Sequence, residues 1–268
     1  MEKRALKTMG MLGILLTFGL MMGCLTKEKE VQMGDFITIK GKVTDFDGNP
    51  IGNSRVELLY NDFSVAHLTY SDKMGNYVLE NIEKGKYLAM FVIREDDYPR
   101  ANAVPEEDMR LEFWAWNIIA DRDIIINPRY QKLELYGTTV FRELGGINSY
   151  FVYFRPMSVT KLVSNPKDVY LDKENTENKD IDISVKPEHL KVNVFADDEP
   201  LHIFSVTLIK YGIMEGVVGY IVHTDFPKVK TDKPYIVFRV EAENTEHNEK
   251  GENIYFYEKS DFKSKTAP

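Results

Sequence analysis

The feature that most constrains this chain is a series of short, alternating segments separated by turn formers, beginning at Phe36. Ile37, Ile39 and Gly41 alternate with Thr38, Lys40 and Lys42, and Val43 follows. A period of two sends successive side chains to opposite faces, so this segment reads as a strand with one face for a core. A turn over residues 44–51 ends it: Asp and Asn side chains bond nearby backbone there, Gly48 can take a positive φ and Pro50 fixes its own. Further strands are expected at 55–60, with Val56, Leu58 and Tyr60 on one face, at 66–71, at 77–79 after a turn carrying Gly75 and Asn76, and at 87–93 after a turn carrying Gly85. Short strands at this spacing, joined by Gly and Asn turns, predict an antiparallel sandwich.

The residues that carry this pattern also carry a resemblance. The stretches GKVTDFDGNPIGNSRVELL and TYSDKMGNYVLENIEKGKYLAMFV resemble the carboxypeptidase regulatory-like domain, a transthyretin-like β-sandwich. The matching positions are Gly41 and Val43, Asp47-Gly48 with Pro50-Ile51, Val56, Asp72 with Gly75-Asn76-Tyr77, and Gly85-Lys86-Tyr87. The resemblance covers about residues 36–95. It implies a fold and not an activity, because one fold carries many functions.

Ahead of this body stands a different pattern. Lys3, Arg4 and Lys7 precede an apolar run from Met9 to Met22, and Gly23-Cys24 follow. Charge, apolar core and small residue, in that order, make a secretion signal; the run is too short to span a bilayer and lacks a flanking stop. It resembles the bacterial lipobox, with Gly23 and Cys24 in place and Met21 where a Leu is usual. That resemblance implies removal of residues 1–23, fatty acids on Cys24, a polar tether over 24–35, and a place in the bacterial cell envelope, held to a membrane by lipid. Leu25, not an Asp, follows the cysteine, which allows the outer membrane or cell surface. An ordinary signal peptide or an uncleaved anchor would leave Cys24 incidental. Cys24 is the one cysteine, so an exported body must depend on its hydrophobic core, and 43% hydrophobic residues permit one. A formal charge of −8 argues against a nucleic-acid partner and offers no polybasic attraction to lipid headgroups.

Beyond Arg94 an acidic, proline-punctuated stretch over 95–108 reads as a crossing to a second domain. Residues 110–119 could open as a helix behind Pro105, but their aromatic and β-branched content favours a strand. Strand-like runs follow at 132–136, 138–142, 150–155, 169–171, 181–185, 190–195, 204–210, 219–224, 235–242 and 253–257, with a turn at 196–200 and a charged hairpin tip at 244–251. The run 150–155 is apolar on both faces, which suits the centre of two packed sheets. The fold class expected is therefore all-β: a transthyretin-like sandwich over 36–100, an Ig-like sandwich with a small helix over 101–259, and a polar tail over 260–268.

No catalytic pattern accompanies this fold. None of His67, His189, His202, His223 and His247 has a Glu three places on, and there is no His-Glu-x-x-His or Gly-x-Ser-x-Gly. Asp45, Asp47 and Asn49 place oxygens at alternate positions as a calcium loop does, but no bidentate Glu follows and the same residues satisfy a turn unaided. Trp114 and Trp116 share a face of a strand, as do Tyr255 and Tyr257. Such rings can stack on sugars, and large aromatics are also the residues most often buried. The expectation is a non-catalytic binding or envelope-assembly module with no cofactor, whose partner is a polysaccharide or an envelope protein. Two alternatives stay open: a glycoside hydrolase whose paired carboxylates form no local motif, and a spacer without a cleft.

Overall fold

The computed structural model describes residues 35–99, 104–142, 148–164, 182–211, 218–228 and 230–259. Cys24, the leader and tether, the strand expected at 169–171, the glycine pair Gly145 and Gly146 and the tail over 260–268 lie outside them. The first five strands fall where the alternation puts them: β1 (Phe36–Lys42), β2 (Arg55–Leu59), β3 (Val65–Tyr70), β4 (Asn76–Glu83) and β5 (Gly85–Ile93). The ambiguous aromatic run is a strand, β6 (Glu112–Ala120), and β7 (Ile124–Ile125) follows it. Next come β8 (Leu133–Phe141), β9 (Tyr150–Ser158) and the one-and-a-half-turn helix α1 (Val159–Ser164). The rest are β10 (Leu190–Ala196), β11 (Glu199–Pro200), β12 (Ile203–Lys210), β13 (Val218–Thr224), β14 (Tyr235–Asn244) and β15 (Glu249–Glu258).

Three sheets organise these strands. The largest has eight, in the order β11-β10-β14-β15-β6-β5-β2-β3; the others are β4-β1-β7 and β12-β13-β9-β8. The joint in the long sheet is a short parallel pairing, Ile254 with Ala115 and Tyr255 with Trp116. Just past it Asn117 takes φ 55° and its side-chain amide donates to the Phe256 carbonyl at 2.6 Å, replacing the next rung of the ladder. The division expected at residue 100 falls inside this architecture. After β5 the next strand, β6, pairs beside β5, and β7 then pairs with β1.

Two hydrophobic cores lie on opposite faces of the long sheet. Val56, Leu58, Met90, Val92, Phe113 and Ala115 face β4-β1-β7, as do Ile254 and Phe256 from β15. Alternation turns Tyr255 and Tyr257 to the other face, where Phe238, Val240, Val194 and Ala196 pack against β12-β13-β9-β8. Each sandwich thus borrows one half of a shared sheet. Burying a side chain such as Phe113 or Phe238 contributes roughly 2 kcal/mol, so both cores are substantial. A glycine marks a close crossing in each sandwich. A Cβ on Gly41 would strike the Ile126 carbonyl, and one on Gly251 would strike that of Leu133, so neither site has room for a side chain.

Two details depart from the sequence pattern. The runs at 132–136 and 138–142 are one strand, β8, whose register against β9 shifts where Gly137 takes a positive φ. β9 continues through Pro156, which pairs with Leu135 of β8. Its missing N–H is tolerated because β13 pairs with β9 only as far as Phe154.

Candidate functional site

The four aromatic candidates do not form one platform. Trp114 and Trp116 do share a face, but they stack on each other, centroids 4.7 Å apart and planes 8° apart. Phe91 closes on Trp114 from β5 at 4.5 Å, and Leu59, Ile93 and Tyr98 complete that cluster. Trp114 donates its indole N–H to Glu112 Oε1 at 2.9 Å, so both its ring and its polar handle have partners within the protein. Tyr257 packs edge-on against Tyr150 of β9 at 5.0 Å.

Trp116 and Tyr255 come together instead. Register pairs them across the β6–β15 joint, on the face that the second sandwich covers only in part. Where the edge of that sandwich overhangs them, a cleft of about 440 Å³ opens. Gly137, Thr138 and Thr139 of β8 form one wall, and Asn61, Lys86 and Asn117 contribute amides and an ammonium group. Among the described residues no carboxylate lines it. Lys86 is paired with Glu258 at 2.5 Å, so its charge is balanced outside the lining. Two lining groups are unusual. The Trp116 indole N–H and the Thr138 hydroxyl are both closed off from bulk solvent, and neither has a hydrogen-bond partner in the protein. Each such orphan costs about 1–3 kcal/mol.

The calcium candidate is explained by its own turn. Asp45 Oδ1 accepts from the amides of Asp47 and Asn49 at 2.9 Å, and Oδ2 accepts from the Asn49 side chain at 2.9 Å. Burial pushes the Asp45 carboxyl up, but the Asn49 side chain and these two amides outweigh it and hold it below the usual range. Among the described residues no three of His, Cys, Asp and Glu gather as a metal would need. The histidines take part in packing and turns: His223 stacks on Phe151 at 4.7 Å, and the His202 amide donates to Asp225 at 2.9 Å.

A carboxyl pair does exist, and sequence reasoning did not find it. Glu134 of β8 is fully enclosed. Burial pushes its carboxyl well above the ordinary range, and the neighbouring Glu112 pushes it further; Tyr136 and Arg155 oppose this more weakly. Arg155 lies over the Tyr136 ring at 5.1 Å. The arrangement keeps Glu134 protonated beside Glu112. It differs from a glycosidase pair, which flanks an open cleft with room for sugar and water. Glu134 has no path to solvent, and neither carboxyl lines the Trp116–Tyr255 cleft. The signal that could have flagged it is a single acid in the apolar run Leu133-Glu-Leu135.

No protein-family model matches this chain, and no curated protein matches it. Solved structures similar to it include pilins. The major pilin subunit BcpA of Bacillus cereus is 11% identical, with 83% of this chain and 69% of that one covered, at a TM-score of 0.26. The full-length major pilin SpaD of Corynebacterium diphtheriae is 9% identical, with 84% and 65% covered, at 0.22. The all-β sandwich architecture is read from the sheets themselves.

Proposed function

We propose that this protein is a non-catalytic binding module of the bacterial cell envelope, tethered by fatty acids on Cys24, and that the Trp116–Tyr255 cleft is where it meets a neutral saccharide. The single observation that carries the site is the pair of orphaned groups, the Trp116 indole N–H and the Thr138 hydroxyl, in one cleft beside an aromatic wall. A sugar toward which these two side chains turn supplies what both lack: hydroxyls to accept and donate, and an apolar C–H face for the Tyr255 or Trp116 ring. The absence of carboxylates from this lining among the described residues, with Glu134 sealed elsewhere, favours binding over hydrolysis. The secretion pattern and Gly23-Cys24 support the location, and the motif glycines support reading the first sandwich as a regulatory-type module.

The test uses variants that remove the orphaned groups: Thr138→Val keeps the shape, and Trp116→Phe keeps one ring against Trp114. Trp116→Phe and Thr138→Val should each weaken glycan-array binding about tenfold, the value of roughly one hydrogen bond to a buried partner. Thr138→Val should leave thermal stability equal or higher, since it deletes an unsatisfied group, whereas Trp116→Phe also gives up stacking on Trp114. Binding that survives both substitutions removes the cleft from the account. Metabolic labelling with a fatty acid, comparing the native chain with Cys24→Ser, tests the tether separately.

A further inference from the structure

A second cleft, of about 510 Å³, opens between the end of β15 and the loop after β13. Its walls are rings: Tyr150 of β9, Phe226 of the loop and Tyr257 of β15. Tyr150 and Phe226 stack with centroids 5.2 Å apart, and Phe226 is 38% exposed, so part of its surface is open to a ligand. Four cations, Arg142, Lys228, Lys230 and Lys259, line the same cleft. Among the described residues no Asp or Glu lines the cleft. In a chain of net charge −8, composition does not produce such a gathering.

The cations are also held in place by groups other than acids. The Arg142 guanidinium stands 5.4 Å from the Phe226 centroid and 5.8 Å from that of Tyr150, and its Nε is closed off from solvent with no hydrogen-bond partner. Lys259 Nζ donates to the carbonyls of Thr231 and Lys233, both at 2.8 Å, which fixes the ammonium without neutralising it. Glu199 approaches the same loop, but it accepts the Lys228 backbone N–H at 3.0 and 3.2 Å and is not part of the lining. Cations crowded together beside apolar walls raise the local potential, and an entering anion lowers the energy of all of them.

We propose that this cleft binds the acidic residue of a glycan: a pyranose ring carrying a carboxylate, its C–H face against Phe226 and Tyr257 and its carboxylate toward Arg142. The planar guanidinium suits a carboxylate, and the lysines add attraction that needs no fixed geometry. The proposal rests on reading the chain as a binding module, but it uses a cleft apart from that of Trp116 and Tyr255.

The experiment is calorimetric titration of the full chain with oligogalacturonate, oligoglucuronate and alginate fragments, each beside its methyl ester, which keeps the rings and removes the charge. Sodium acetate serves as an anion without a ring. At least one uronate should bind, weaken tenfold or more on esterification, and weaken further as salt rises from 50 to 500 mM on the order expected for screened charges. Arg142→Gln should lower affinity about tenfold. Lys228→Gln with Lys230→Gln, on an exposed loop where folding is not at stake, should lower it severalfold, while Trp116→Phe should leave it unchanged. Failure of every uronate to bind, equal binding of acid and ester, or acetate competing on equal terms overturns the proposal. Uronate binding that persists when Trp116→Phe and Thr138→Val have no effect on neutral glycans would retire the first cleft and keep this one.

Discussion

Two glutamates, one in the long sheet and one in the four-stranded sheet that packs on it, are buried to the same degree in opposite electrostatic surroundings. Glu252 of β15 is 2% exposed and Glu134 of β8 is 1% exposed. Glu252 accepts from Arg129 three times, from its amide at 3.0 Å, its Nε at 3.0 Å and its Nη2 at 2.6 Å. Arg129 also meets Glu241, which in turn meets Arg239, and Arg239 lies over the Phe195 ring at 4.0 Å. Burial pushes the Glu252 carboxyl up on balance, and Arg129, with its hydrogen bonds, and Arg239 pull against it in favour of the ionised form. Glu134 has no such partner and stays neutral beside Glu112. The contrast follows the two uncovered backs of the sheet. Behind β14 and β15 the side chains are charged, and behind β5 and β6 they are the aromatic cluster around Trp114. A buried acid is drawn toward ionisation where a fixed cation donates to it and toward protonation where its nearest charged neighbour is another acid.

The largest test of this contrast is to remove the cation. Arg129→Met should cost about 3–5 kcal/mol in urea unfolding, because it takes both guanidinium donors from the buried Glu252 and leaves only the backbone amide and the more distant pull of Arg239. The double variant Arg129→Met with Glu252→Leu should recover most of the loss. A single variant close to native stability would mean that Glu252 is protonated like Glu134 and that the two regions do not differ.

A second test asks whether Glu134 is neutral. Its carboxyl is raised in the folded protein, so the folded state binds a proton that the unfolded chain releases. Its contribution is therefore complete at pH below the unfolded carboxylate value of 4.5 and is lost as pH rises toward the folded value, at up to about 1.4 kcal/mol per pH unit. Glu134→Gln keeps the shape and cannot ionise. It should flatten the decline in melting temperature above pH 5 and be the more stable protein at pH 8. Parallel pH profiles for native and variant would place an ionised Glu134 beside Glu112.

Local physics made most of the first sandwich legible. Alternation in β1 and turn chemistry at Gly48 and Gly75, both at positive φ, act over a few residues, and so does the β-branched and aromatic content that made β6 a strand. The candidate site was half legible for the same reason. Parity put Trp116 with Trp114 and Tyr255 with Tyr257, but nothing local could say that Trp116 would pair across the sheet with Tyr255, 139 positions later in the chain. The cations Arg142 and Lys259 are as far apart in sequence as they are close in space, so their cleft left no motif. The acidic, proline-punctuated stretch over 95–108 reads as a domain crossing from composition alone, and only the β5–β6 pairing shows that the sheet continues past it.

The smallest expected effect lies at the Asp45 turn, and its sign opposes that of Glu134. Asp45 is held below the ordinary carboxylate range by the Asn49 side chain and the Asn49 and Asp47 amides, against a burial contribution that alone would raise it. A depressed carboxyl stabilises the fold above its unfolded value of 3.8 and loses that contribution as pH falls through the folded one. Asp45→Ala should cost about 1–2 kcal/mol at pH 7, the usual worth of hydrogen bonds to a charged group, and much less at pH 2. Calcium should not raise the melting temperature of the native protein, since both carboxylate oxygens already serve the turn. A calcium-dependent rise that disappears in Asp45→Ala would show the turn opening to take the ion, and would make this loop a ligand site in its own right.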